Sequence, residues 1–456
     1  MKNKLKLLAI SLFLSGCGGG GSSTSTDIET PNLFLEQWTI NKNTTFYSQN
    51  NINNNAHINM QNISSTYTGK NIRVAVIDNG FDINHPEIKD KIVATASFDT
   101  AGNTLGTDVS HTNSTDIHGT AVAGIIASKD DNKGIRGVAP NVELILIKLP
   151  THLSDNAVMS IFNYAISNGA DVINCSWGTG AVSDTVRSYL NNLAKTARGG
   201  KGVAIVFASG NGNTNLKDDE ASIKNVIAVG ATSKDNLRAN YSDYGKDLDI
   251  MAPGGETFGV TTLDPLGTAG KSNDGYNRYN ETSNDKNVSF KGTSASAPIL
   301  TGVIALGLEK KNNLNLSSLL NTLQYSTDIV GQNTPYLNEM ISSSSTTPTI
   351  TGQLGSTGNS QIKIKLKSHD TNITYGPYSL TTINGDNTFS STITSAIPEN
   401  NYTIELVDNT DTVVWATDEH FEVNSAKTIT TDITRKKSDF YGYGKINAER
   451  FLNNIN

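Results

Sequence analysis

The chain has 456 residues, with 36 Lys and Arg against 43 Asp and Glu, a formal net charge of −7 and 36% hydrophobic residues. That length leaves room for one large core and a second, smaller one. The dispersed, mildly acidic balance excludes the basic stripe on which nucleic-acid binders depend.

At the start of the chain, Lys2, Lys4 and Lys6 precede a short apolar run over 7–14. A run of that length is too short to span a bilayer as a helix, so it is expected to act as a signal peptide. It ends in Leu14-Ser15-Gly16-Cys17, which resembles a bacterial lipobox and implies lipidation of Cys17. Glycines and serines over 18–25 supply a flexible tether. The reading therefore sets a lipoprotein signal at 1–17, a tether at 18–30 and an exported product held at the cell envelope of a bacterium, at its outer membrane or surface. The one other cysteine, Cys175, lies in an apolar run and is expected to be a small core residue.

Residues 27–67 are rich in Asn, Thr and Ser with scattered apolar anchors, including Leu33, Leu35, Trp38 and Ile40. From 72 the pattern predicts strands over 72–77, 142–149, 171–176, 203–209 and 226–231, and helices over 118–128, 156–167 and 294–310. Continuous apolar runs alternating with helices predict a mostly parallel sheet covered on both faces, an α/β architecture. After 342 the composition shifts to a Ser/Thr run and then to period-two segments at 361–367, 402–406 and 412–415, with turn formers at 384–386 and 398–401. This predicts a small antiparallel β-sandwich over 343–437.

Three short motifs carry chemistry: Val-Ala-Val-Ile-Asp-Asn-Gly at 74–80, Asp-Ile-His-Gly-Thr-Ala-Val-Ala-Gly at 116–124, and Gly-Thr-Ser-Ala-Ser-Ala-Pro at 292–298. Each places a reactive group, Asp78, His118 or Ser294, where a strand ends or a helix begins. A serine hydroxyl is nearly inert at neutral pH, and it needs an imidazole base and a carboxylate to orient that base. Ser296 is the competing hydroxyl in the third motif. A helix beginning near Ser294 would offer free N–H groups to an oxyanion, and Pro298 within it should free a carbonyl and bend the axis.

The order Asp78, His118, Ser294 with these flanking residues resembles the subtilisin-like serine proteases, the subtilases, over roughly 38–339 and 440–454. The resemblance implies a three-layer fold and a peptidase domain whose main part is 31–342. The β-sandwich at 343–437 would then be an insertion, and 438–456, with Tyr-Gly-Tyr-Gly-Lys-Ile-Asn-Ala at 441–448, would close the domain. It implies Asp78 as orienter, His118 as base, Ser294 as nucleophile and Asn211, in Ala-Ser-Gly-Asn-Gly, as side-chain oxyanion donor, with Asn174 a weaker candidate for that role. Ser176, Trp177, Gly178, Ser209 and Gly210 would line the substrate cleft. Ala121 stands where many subtilisins have a second histidine.

Gln37-Trp38, Ala56-His57-Ile58-Asn59 and Thr68-Gly69-Lys70 resemble the start of kexin-like catalytic domains. That places this stretch in the mature enzyme, with no obvious folding propeptide. Kexin-like relatives bind basic side chains with acidic residues, which makes Asp218, Asp219 and Glu220 a candidate basic-specificity patch. A solvated acidic loop is the equally weighted reading.

No cofactor is required for this chemistry. Structural calcium is common in the family, and Asp82 and the acidic loops offer oxygen ligands, but no spacing matches a dedicated calcium loop, so no metal site is assigned. The expected partners are protein or peptide substrates, and the membrane through Cys17. The sequence leaves oligomeric state open. A catalytically silent surface lipoprotein, an adhesin or scaffold on the same fold, is the alternative.

Overall fold

The computed structural model describes residues 32–112, 116–216, 218–267, 270–272, 274–279, 289–328 and 441–455, with shorter pieces between 330 and 423. The signal peptide, Cys17 and the tether lie outside the described residues.

The strands β1 (Arg73–Asp78), β2 (Ile92–Phe98) and β3 (Thr104–Gly106) follow a short helix, α1 (Thr44–Asn50). Then come α2 (His118–Ala127), β4 (Glu143–Lys148), α3 (Asp155–Ser167), β5 (Val172–Cys175), α4 (Asp184–Thr196) and β6 (Ala204–Ala208). The chain continues through β7 (Ile227–Thr232), β8 (Ile250–Pro253), β9 (Thr262–Leu263), β10 (Tyr276–Asn277), α5 (Thr293–Lys310), α6 (Leu316–Gln324) and β11 (Thr327–Asp328).

Serine and asparagine start these helices where the sequence provides them. Ser154 accepts the Ala157 N–H, Ser183 the Val186 N–H and Asn315 the Ser318 N–H, each satisfying a donor that the helix itself cannot. α2 and α5 differ from their neighbours in being apolar almost all round, and nearly every residue of both is buried. Such helices belong inside a core.

Beyond β11 the strands form two further sheets with their own apolar core, which includes Ile350, Ile364, Leu366, Phe389, Tyr402, Ile404 and Leu406. One sheet runs β12 (Tyr336–Leu337), β14 (Thr349–Gln353), β18 (Thr388–Thr392), β17 (Thr382–Ile383). The other runs β13 (Ser342–Ser343), β21 (Phe421–Val423), β19 (Asn400–Val407), β15 (Lys363–Ser368), β16 (Thr374–Ser379), with β20 (Val413–Ala416) also on β19. Their pairings are antiparallel except for β13 with β21, which is parallel. That pair corrects the all-antiparallel expectation: its two strands are joined by a long connection instead of a hairpin, and only hairpins impose antiparallel pairing. The chain then returns as β22 (Lys445–Ile446) and α7 (Ala448–Asn454).

The main sheet has ten strands in the order β11-β22-β8-β7-β6-β5-β1-β4-β2-β3. Its interior is parallel, and the two end pairs, β2 with β3 and β11 with β22, are antiparallel. β22 therefore lies between β8 and β11 in this sheet. Residues ahead of β1 also enter the core, where Leu33, Trp38, Tyr47, Ile58 and Met60 are buried. The Trp38 indole donates to the Gly259 carbonyl at 2.7 Å.

β1 sits between β4 and β5, so after β4 the chain crosses β1 and builds the other half of the sheet. This reversal opens a crevice at the C-terminal ends of β1 and β5, the usual ligand position in wound α/β sheets. Asp78 ends β1, and Ser176 follows β5.

Candidate active site

Asp78 is 2% exposed. Its carboxylate accepts the Asn79 N–H at 2.8 Å and takes His118 Nδ1 on both oxygens, at 2.8 and 3.1 Å. This contact holds the imidazole with Nε2 turned away from the aspartate. His118 is the first residue of α2, and its own N–H is held by Asp116 Oδ1 at 3.1 Å. Burial alone would lower its pKa, but Asp78, with help from Asp116, outweighs it and leaves the imidazole above its usual value. Phe290 packs edge-on against the ring, with centroids 5.5 Å apart.

Gly119 explains how α2 comes so close to β1. A methyl group there would lie 2.2 Å from the Gly80 carbonyl oxygen and 3.0 Å from Asp78 Cβ. The glycine is required by this approach, and the approach brings carboxylate and imidazole together.

Ser294 occupies the first turn of α5, whose N-cap, Gly292, has φ +115°, a conformation suited to glycine. The Ser294 hydroxyl donates to the Ser176 carbonyl at 3.1 Å. Pro298 has no N–H for the carbonyl four residues earlier, and that carbonyl, on Ser294, instead accepts the Ser176 hydroxyl at 3.0 Å. Ser296 points away into the core, fully buried and donating to the Ala252 carbonyl at 3.0 Å, so it is not the exposed hydroxyl of the motif.

Asn211 follows β6. Its carboxamide oxygen accepts the Thr293 N–H at 2.9 Å and the Thr293 hydroxyl at 3.1 Å. With the oxygen committed, the NH₂ remains as the donor. Asn174 has no such freedom: it is buried, gives its NH₂ to Ser176 Oγ at 3.0 Å and accepts from Thr301 at 2.9 Å.

Asp243, which carries no sequence motif, shapes the Asn211 loop. It accepts the N–H groups of Gly212 at 2.9 Å and Thr214 at 2.8 Å. Gly210 has φ +109°, and a methyl group there would lie 2.1 Å from the Asp243 carboxylate. Only the spatial proximity of residues 29 and 31 positions apart reveals this support.

The cleft residues divide. The Trp177 indole donates to the Ile77 carbonyl at 2.9 Å, tying the β5 edge to β1 beside Asp78. Gly178 faces Asp219 and Glu220, whose carboxylates lie 4.0 and 3.9 Å from where its methyl would stand. Glu220 is itself held by Thr179, through the N–H at 3.0 Å and the hydroxyl at 2.8 Å. Ser209 is fully buried, its N–H on the Val229 carbonyl, so its side chain supports the loop from within. Gly210 borders α5, donating its N–H to Thr293 Oγ1 at 3.2 Å.

The subtilase family model matches residues 69–335. The chain belongs to the subtilase family, the subtilisin-like serine hydrolases. It is 33% identical over 304 residues to a calcium-dependent protease of Trichormus variabilis, which covers 60% of this chain and 44% of that protein. The chain thus spans under half the length of that relative. A solved protease from Pseudoalteromonas arctica aligns with TM-score 0.54 at 26% identity, covering 66% of this chain and 93% of the other. An Aeromonas sobria serine protease, solved with its chaperone, covers 88% of this chain and 93% of its own at 18% identity and TM-score 0.57, a likeness of fold alone.

The calcium dependence in one relative's name raises the question of fit. Asp82 spends its oxygens on the N–H groups of Asn84 at 3.0 Å and Leu266 at 2.9 Å. Glu87 accepts the Tyr276 hydroxyl at 2.7 Å and the Lys129 N–H at 3.1 Å. Both carboxylates are already supplied with protein donors. Among the described residues no three His, Cys, Asp or Glu side chains converge as a metal site. These two carboxylates alone fall short of the six to eight oxygens that calcium asks for.

Proposed function

We propose that this subtilase is a serine endopeptidase that cleaves peptide bonds through an acyl-enzyme. The observation that carries the reading is the 2.8 Å contact of His118 Nδ1 with buried Asp78 beside the N-terminus of the serine-bearing helix. The Ser294 hydroxyl leaves the Ser176 carbonyl, passes its proton to His118 Nε2 and bonds to the substrate carbonyl carbon. Asp78 steadies the imidazolium. The oxyanion is received by N–H groups at the start of α5 and by the Asn211 NH₂. His118 then returns the proton to the departing amine, and water repeats the sequence to release the acyl group. Apart from that water, every catalytic group in this scheme is a side chain or N–H of the protein.

The substrate is an extended polypeptide lying along the Ser176–Gly178 edge, where backbone pairing binds and side-chain pockets select. A kexin-like preference for Lys or Arg before the scissile bond is the specificity that Asp219 and Glu220 support. The peptidase domain comprises 31–335 and 438–456, and the β-rich segment between them is an insertion; the return of β22 to the main sheet supports this, and the pairing of β12 (Tyr336–Leu337) with β14 moves its start ahead of the expected 343. Cys17 carries a lipid anchor that holds the enzyme at the bacterial cell envelope; the leader and lipobox-like sequence support this.

The deciding experiment is labelling of the purified folded protein with a fluorophosphonate, alongside Ser294→Ala, followed by proteomic mapping of cleavage sites. Labelling confined to Ser294 and cleavage lost in the variant are expected. An unlabelled wild type would favour the silent surface lipoprotein.

A further inference from the structure

Seven positions before His118 lies a second imidazole that the proposed chemistry leaves unused. His111 is half-buried, and its Nε2 shares a 2.7 Å hydrogen bond with Thr120 Oγ1. Thr120 is fully buried in the first turn of α2, and the same oxygen accepts the Asp82 N–H at 2.9 Å. On its other side His111 presses on the turn that follows Asp78. A methyl group on Gly80 would lie 2.8 Å from His111 Cα and 3.0 Å from its Nδ1. That Nδ1 is buried with no hydrogen-bond partner among the described residues. The neighbouring Phe81 N–H is fixed to the Val109 carbonyl at 2.8 Å.

We propose that His111 is a positioning residue for the Asp78–His118 pair, clamping the turn after β1 to the start of α2. The inference rests on the triad reading above. The geometry requires a hinge point here: Asp78 lies two residues before Gly80, His118 two residues before Thr120, and His111 touches both Gly80 and Thr120. A carboxylate and an imidazole held 2.8 Å apart on two separate elements stay aligned only if those elements cannot slide. The tolerance of an unpartnered buried nitrogen, normally a cost, fits a group kept for its shape and its single bond. The charged groups around His111 are Asp116, Asp78, Asp82 and Lys148. Burial holds its own pKa below the usual imidazole value, against the pull of the three aspartates.

The test compares His111→Phe, which keeps the bulk and loses the bond, with His111→Gln, whose amide reaches as far as Nε2. His111→Phe should lower kcat on the order of 10- to 100-fold, the scale set by a small misplacement of catalytic groups, with KM within about twofold. The acid limb of kcat/KM should move to lower pH as His118 loses its hold on Asp78. The low-field NMR signal of the His118 Nδ1 proton should broaden or shift. His111→Gln should recover most of each change. A folded His111→Phe protein with wild-type kcat, limb and proton signal would overturn the proposal. Should His111→Phe not fold, His111→Met removes the same bond with a more pliant side chain and leaves the Thr120 bond to Asp82 in place; lowered kcat with a shifted limb supports the clamp, and an unmoved limb overturns it. Fluorophosphonate labelling separates the two readings: an unlabelled wild type defeats the triad, whereas a labelled wild type with an indifferent His111→Phe defeats the clamp alone.

Discussion

Ser176 and Ser294 exchange hydrogen bonds: each hydroxyl donates to the other's carbonyl, at 3.0 and 3.1 Å, across 118 positions of sequence. Pro298 makes the exchange available by leaving the Ser294 carbonyl without a helical donor. Asn174 completes it by donating to the Ser176 hydroxyl. Ser176→Ala should leave two polar groups without partners, the Ser294 carbonyl and the Asn174 NH₂. The expected loss is roughly 1–3 kcal/mol of stability for each group left unsatisfied, read by denaturant unfolding. A variant as stable as the wild type would show that water replaces the hydroxyl.

The Asp78–His118 contact sets the pH dependence. His118 acts as a base only when neutral, and its pKa lies above the usual imidazole value. Activity should therefore fall as pH drops through a limb lying above about 6.5. Asp78→Asn removes the charge that raises the pKa, so the limb should move down while kcat falls by roughly 10⁴. A pH series of kcat/KM for both proteins checks the sign. A limb that stays in place without the carboxylate would contradict the assignment.

Asn211 offers a test confined to the oxyanion. Its carbonyl is committed to Thr293, so Asn211→Leu should cost roughly 10²–10³ in kcat with little change in KM. Equal losses in kcat and in substrate affinity would instead indicate a collapsed loop.

Much of this site was legible in the sequence because its strands are buried on both faces. The run ending at Asp78 is apolar from Val74 to Ile77 and the one ending at Cys175 is interrupted by Asn174 alone, and the Asp78 motif sits at the end of such an element. The exceptions have physical causes. β2 buries Ala96 and Phe98 but none of its other five residues, and Thr95 and Ser97 break any continuous apolar run. α4 buries only Val186, Leu190 and Ala194 of its thirteen residues, too thin a stripe to stand out. Asp243 holds backbone N–H groups 29 and 31 positions away, and His111 meets Gly80 and the Thr120 hydroxyl; no local pattern announces such contacts. Ser296 and Ser294 share one motif; the family resemblance favours Ser294, and the buried bond of Ser296 to the Ala252 carbonyl agrees with it.

Asp219 gives the specificity question a pH axis. Burial, reinforced by Glu220, pushes its carboxyl up to about 6. It is therefore neutral in acid and charged above that value. Peptides differing only in the residue before the scissile bond should show Lys and Arg favoured over Leu, with a gap that widens as pH rises through about 6. Because the ratio of two substrates cancels the His118 limb, the widening isolates the pocket. Asp219→Asn should flatten it. A preference indifferent to basic side chains would leave the patch a solvated loop.

Lys445 carries a pH dependence of a different kind. It is fully buried on β22, bonded to the Asn55 carbonyl and, at 2.8 Å, to Asn236 Oδ1. Burial lowers its pKa to about 7, partly opposed by Asp328. In the unfolded chain the same amine titrates near 10.4. Between those values the unfolded state binds more protons, so stability should rise with pH across that window. Below about 7 both states are charged, and the cost of the buried ammonium is fully present. Lys445→Met removes the titrating group, so its curve of Tm against pH should lose that rise between about 7 and 10. At neutral pH the relieved charge and the lost bonds to Asn55 and Asn236 oppose one another, so the diagnostic quantity is the slope. Parallel curves for the two proteins would mean that the amine is solvated and that its link between β22 and the start of the chain does not depend on charge.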